Sequence, residues 1–130
     1  MKPITKEWIE KAEGDWNTAQ RELRTRRSPN YDAACFHAQQ CAEKYLKARL
    51  QEAEVYFEKK HNLITLLDLA LPLEPLWEAL RPALRVLNAY AVEFRYPGES
   101  STQERAKKAV ALCRMVRHQA RINLGLQPEE

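Results

Sequence analysis

Glycine is scarce: the 130 residues contain only three, at positions 14, 98 and 125. A loop that cradles phosphate with backbone amides needs several glycines close together, so this spread excludes nucleotide binding by a glycine-rich loop. Cysteine is also sparse, and its odd count of three leaves no full set of pairs. Cys35 and Cys41 are six apart on one stretch and Cys113 is remote, which matches neither a CxxC motif nor zinc-ligand spacing. They read as buried, reduced thiols serving as small apolar side chains. The histidines at 37, 61 and 118 form no HExxH pattern, so no metal and no cofactor is expected. No apolar run approaches the ~20 residues that span a bilayer. The opening MKPITKEWIEKAE is charged throughout and lacks the apolar core of a secretory signal. The expectation is a cytoplasmic protein with no membrane association. A net charge of +3 permits contact with nucleotides or nucleic acid without requiring it.

The residues that are present point to helices. Tyr31 to Leu50 has no Gly or Pro and is rich in the strongest helix formers. Tyr31, Ala34, Cys35, Ala38, Cys41, Ala42, Tyr45, Leu46 and Leu50 recur every three or four residues, a stripe broad enough to touch several neighbours. It reads as the central helix of a bundle. Before it, a helix from about Thr5, as cap, to Arg24 places Ile4, Trp8, Ala12, Trp16 or Ala19, and Leu23 on its buried side. Ser28, Pro29 and Asn30 make a turn, with Asn30 able to cap the next helix. Asn62 can cap a short helix that ends before Pro72 and Pro75. A further helix becomes regular near Arg81, where Pro82 is tolerated in the first turn, and reaches Phe94. Pro97 and Gly98 stop it, Ser101 or Thr102 caps the last helix, and Gly125 with Pro128 ends that one near Leu124. No strand alternation or repeat occurs. The expected fold is all-α, an antiparallel up-and-down four-helix bundle with one extra short helix, as a single domain over 1–125 with a disordered tail, 126–130.

Candidate functional residues follow from the same helical geometry. His37, Gln40, Lys44 and Lys47 step along the central helix at three- or four-residue intervals and project from one face. Such a row can bind an anion, or it can be neutralised by Glu43 and nearby carboxylates and serve as a packed polar seam. Arg95 and Tyr96 close a long helix just before the Pro-Gly turn, where a guanidinium and a phenol can face a cleft. If Arg95 folds over the central row, several positive groups converge on a phosphate-sized site. His61, near the start of the short helix, can cap or bond locally. Arg21, Arg24, Arg26 and Arg27 form either a solvated loop edge or an anion-binding edge. Arg114, Arg117, His118 and Arg121 form a basic stripe on the last helix.

FHAQQCAEKYLKARL, then KKHNLITLL, then YAVEFRYPGES together resemble the HEPN family, the nucleotide-binding domain of higher eukaryotes and prokaryotes. The resemblance covers nearly the whole chain. It implies an up-and-down helical bundle that forms homodimers and is often paired with a minimal nucleotidyltransferase protein. Some family members are ribonuclease toxins, in which an Arg is followed by a His after four to six residues at the dimer cleft. This chain departs from that pattern. After Arg95, positions 100 to 102 are Ser, Ser and Thr, and only three residues stand between Arg114 and His118. The resemblance therefore implies a module that binds a nucleotide, or a nucleotidyltransferase partner, in a toxin–antitoxin-like or regulatory pair. His37, Gln40, Lys44, Lys47, Arg95 and Tyr96 are its candidate binding residues. The alternatives are a ribonuclease acting on RNA through Arg95 with His37 or His118, and a purely structural bundle. The large aromatic load, including Trp8, Trp16, Trp77, Tyr31, Tyr45, Tyr56, Phe57, Tyr90 and Phe94, adds to the expectation of a homodimer.

Overall fold

A computed structural model describes residues 1–59, 62–94 and 96–129. The expectations for His61 and Arg95 lie outside these described residues. Five α-helices form: α1 (Pro3–Arg24), α2 (Tyr31–Glu52), α3 (Leu63–Ala70), α4 (Arg81–Glu93) and α5 (Gln103–Asn123). A 3-10 helix, Pro75–Leu80, leads into α4. No strand occurs among the described residues, and none of the helices is long and apolar enough to cross a membrane.

The local signals act where the residue types place them. Asn30, Asn62 and Thr102 each accept the backbone N–H three residues on, from Ala33, Thr65 and Arg105, capping α2, α3 and α5. Thr5 is a correction. The first helix begins at Pro3, where a proline needs no amide partner, so Thr5 sits inside the first turn and is fully buried.

The helices run up and down. α1 and α2 make an antiparallel hairpin in which the Lys2 amide donates to Glu52, the Trp8 indole to Gln51, and Asp15 meets His37 further along. α4 returns beside the start of α2. α5 then runs alongside α2, with Ser101 near Asp32 and Cys35 at one end and Arg121 bonded to Tyr45 near the other. As its stripe implies, α2 packs against every other α-helix. Ala34, Cys35, Ala38, Cys41, Ala42, Tyr45, Leu46 and Leu50 are all fully buried. They meet Ala12, Trp16 and Ala19 of α1, Leu84 and Leu87 of α4, and Ala106, Ala109, Cys113 and Val116 of α5 in one core. Burial pushes the Cys35 and Cys41 thiols up from their ordinary values, as expected of unreactive core cysteines. Ile4, placed by periodicity on the buried side of α1, is exposed because it lies in the first turn, at the edge of the bundle.

The end of α5 is set by Gly125, whose φ of 77° is open to glycine at low cost. The Leu126 amide donates to the Arg121 carbonyl and the Gly125 amide to that of Ile122, a Schellman closure. This closure turns residues 126–129 back along the helix they have just left. The Gln127 carbonyl accepts from Arg121 and the Pro128 carbonyl from Arg117.

Candidate functional site

Two polar clusters are built where α1 faces the rest of the bundle, and each is centred on a carboxylate of α1. The first is Asp15. Its Oδ1 lies 2.7 Å from His37 Nδ1 and its Oδ2 accepts from Lys44 Nζ at 2.5 Å, so one buried carboxylate holds two members of the row on α2. A charge this far from water is tolerated when it is paired and hydrogen-bonded, and Asp15 is both. With Nδ1 committed to Asp15, His37 is oriented and Nε2 is its remaining ring nitrogen.

His37 also lines an open cleft of about 360 Å³ between the start of α2 and the end of α4. Its other walls are Asn30, Asp32, Phe36, Tyr90 and Phe94. The Phe36 ring meets the imidazole edge to face at 5.2 Å, and Tyr90 and Phe94 pack at 5.4 Å. Aromatic walls with a few oriented polar groups, here His37 on Asp15, Asn30 on the Ala33 amide and Asp32 on the Ser101 amide, are the usual makings of a small-molecule site.

The remaining members of the row divide. Gln40 donates to Gln39 at 2.7 Å. Lys47, only 5% exposed, donates to Glu43 and to the Lys59 carbonyl, with its ammonium over the Trp8 and Phe57 rings. The face that carries the row is therefore turned toward α1, because Asp15 and Trp8 supply its counter-charge and its packing. Tyr96 is 64% exposed, two residues beyond Phe94 of the cleft wall.

The second cluster is Glu13. Arg117 donates to it through Nε and Nη2 at 2.8 and 2.7 Å, and the Tyr45 hydroxyl donates at 2.5 Å. Arg121 donates in turn to the Tyr45 oxygen at 3.0 Å. Burial works against the Glu13 charge, but the bonds from Arg117 and Tyr45 and the two guanidinium charges outweigh it and hold the carboxyl below its ordinary pKa. Burial, and then the bond to Glu13, push the Tyr45 phenol above its ordinary value. Arg117 and Arg121, read from sequence as part of a basic stripe, are buried, because Glu13 and the returning backbone of 127–128 cover them. Next to this cluster lies a second cleft of about 330 Å³, lined by Trp16, Asn17, Gln20, Arg114, His118 and Glu129 among others. His118 thus lies at a cleft that shares no lining residue with that of His37.

Sequence reasoning did not single out Asp15 or Glu13. The signal for Asp15 was present: it falls three residues after Ala12 and four before Ala19, on the buried stripe of α1. Among the described residues no group of three or more His, Cys, Asp or Glu side chains is arranged to hold a metal ion.

In comparison with known proteins, no curated protein matches the sequence. A crystal structure of TT1696 from Thermus thermophilus is similar at a TM-score of 0.65 and 28% identity, covering 86% of this chain and 91% of that one. The family model of the HEPN domain matches residues 5–123. With the helical order and the three resembling segments inside that span, the chain belongs to the HEPN domain family.

Proposed function

We propose that this chain is a HEPN module that binds a nucleotide in the cleft beside His37 and acts with a minimal nucleotidyltransferase partner, in a toxin–antitoxin-like or regulatory pair in the cytoplasm. The observation that carries the reading is the imidazole of His37, fixed by Asp15 at the rim of an aromatic cleft. Phe36, Tyr90 and Phe94 offer ring surfaces on which a base can stack, worth about 1–3 kcal/mol per base. The oriented imidazole offers a hydrogen bond to phosphate or sugar. Gln40 and Lys44 hold the row in register behind His37, and Lys47 anchors its far end. Tyr96 and Arg95 follow Phe94 directly in sequence and are the side chains to test as the outer clamp.

Titration of the purified protein with mononucleotides and short RNA at low salt, repeated with His37→Ala, Phe36→Ala and Arg95→Ala, tests the site. Binding weakened about tenfold by each substitution supports the reading. Binding that is absent, or unchanged in all three variants, removes it. Co-expression with a nucleotidyltransferase encoded next to this gene tests the partner, since failure to co-purify would sink that part alone. A homodimer belongs to the same proposal, and light scattering that finds only a 15.2 kDa species at micromolar concentration would count against it.

The ribonuclease reading draws on the same Asp15–His37 pair, because a carboxylate on one ring nitrogen fixes the orientation of an acid–base imidazole. His118 lies at the other cleft, so of these two histidines His37 is the one that lines this cleft within one subunit. RNA cleavage lost in both His37→Ala and Arg95→Ala would favour it over simple binding.

A further inference from the structure

We propose that the cleft between α1 and α5 around Trp16 is a receptor for an acidic peptide segment of a partner protein, and that residues 127–129 of this chain occupy part of it as an internal stand-in. The seat is already in use by a peptide. Arg121 Nε donates to the Gln127 carbonyl at 2.5 Å, Arg117 Nη1 donates to the Pro128 carbonyl at 3.0 Å, and the Glu129 carboxylate lies 3.2 Å from His118 Nδ1. The returning segment, which turns at Pro128 and Glu129, thus lies on Arg121, Arg117 and His118 of the last two turns of α5.

The cationic track continues beyond the point that Glu129 reaches. Arg114 lines the same cleft one turn before His118, its guanidinium 5.4 Å over the Trp16 ring, and no ion pair joins it to an acid among the described residues. Past it, an adjoining pocket of about 90 Å³ is lined by Arg114, Arg24, Gln20, Leu23 and Val110. Among the described residues the one acid of the cleft besides Glu129 is Glu13, and its oxygens are already bonded to Arg117 and Tyr45. Across the cleft and the adjoining pocket Arg24, Arg114 and Arg117 face Glu13 and Glu129, so a segment that displaces Glu129 meets two more guanidiniums than acids, which selects a partner segment with acids beyond a Pro-Glu start.

A peptide fits this seat better than a nucleic acid does. The side chains of Arg117 and Arg121 are only 6% and 7% exposed, and each already gives one donor to a backbone carbonyl of a narrow chain lying directly on it. Trp16 is only 6% exposed and has guanidiniums of both Arg114 and Arg117 against its ring, which leaves no face on which a base could stack. The cleft shares no lining residue with that of His37, so the proposal stands or falls apart from the nucleotide reading.

The test is a titration of the full chain with a fluorescent synthetic peptide that carries LQPEE followed by further glutamates, with the Trp16 indole resonance as a second readout. Glu129→Ala removes one of the three contacts that hold the internal competitor and is expected to tighten binding about three- to fivefold, the scale of an exposed ion pair. Arg114→Ala, at an exposed position, is expected to weaken it about tenfold. A peptide with glutamine in place of every glutamate, and single-stranded RNA of matched charge, are the controls. Selective binding of the acidic peptide with both expected shifts supports the proposal. It is overturned if neither the wild-type chain nor Glu129→Ala binds the peptide at millimolar concentration. Equal binding of the glutamine peptide, binding of RNA in preference to the peptide, or full binding by Arg114→Ala would overturn it as well.

Discussion

Asp15 and Lys44 meet across the α1–α2 hairpin at 2.5 Å, with His37 on the carboxylate's other oxygen at 2.7 Å. The Asp15 side chain is 10% exposed and that of Lys44 21%, so neither charge is fully solvated if the other is removed. Asp15→Asn is therefore expected to destabilise the fold by about 2–3 kcal/mol, below the full cost of breaking a wholly buried pair. Urea unfolding at neutral pH measures it. A loss under about 0.5 kcal/mol would mean that water screens the cluster as it does a surface pair.

The Glu13 network makes stability depend on pH in a defined direction. Its folded carboxyl titrates below the unfolded one, so the stabilisation is fully present above the ordinary carboxylate pKa of about 4.3. It is lost as pH falls through the lower folded value, where the native state must take up a proton. Glu13→Gln is expected to cost about 2 kcal/mol near neutral pH, the scale of charged hydrogen bonds. The gap between variant and wild type should close as the pH drops below about 4. Melting curves across that range, in both proteins, check it; a gap that stays constant down to about pH 3 would contradict the assignment.

The helices were legible because their signals are local. Asn30, Asn62 and Thr102 are caps whose bonds reach only three residues, and the stripe of α2 repeats within single turns. The clusters were less legible because each joins residues far apart in the chain. Glu13 and Arg117 are 104 positions apart, and no periodicity on either helix signals that pairing. Lys47 shows the same gap from the other side. Its place in the polar row was readable, whereas its burial depends on Trp8 and on a loop carbonyl that folds back from residue 59. For Asp15, by contrast, an acid on an apolar stripe was a readable mark of a buried pair.

Gly14 offers a simple gain. It lies inside α1 with ordinary helical geometry, and a Cβ built there meets nothing within 4 Å. Gly14→Ala is expected to add about 0.5–1 kcal/mol, because glycine has more backbone freedom to lose on folding. Chemical unfolding of the variant reads the gain. If stability instead falls while the elution volume changes, the open side of Gly14 is covered by a second subunit.

The two longest helices after α1 end in the same motif with different residues. At α5 the left-handed position is Gly125, whereas at α2 it is Glu54, with a φ of 58° and with its own amide and that of Val55 donating to the Gln51 and Leu50 carbonyls. A side chain in that region costs about 1 kcal/mol that glycine avoids. Opposing this, Glu54 pairs with Lys2 at 3.3 Å, but its side chain is 77% exposed, so that pair contributes little. Glu54→Gly is therefore expected to stabilise the fold by about 0.5 kcal/mol, and Gly125→Ala to destabilise it by about 1 kcal/mol. Gly125→Ala carries a second consequence, since the closure at Gly125 directs Gln127 and Pro128 onto Arg121 and Arg117. Its melting transition should shift together with the amide resonances of Leu126, Gln127 and Glu129. A Gly125→Ala variant that melts as the wild type does would show that the closure is not what holds that segment down.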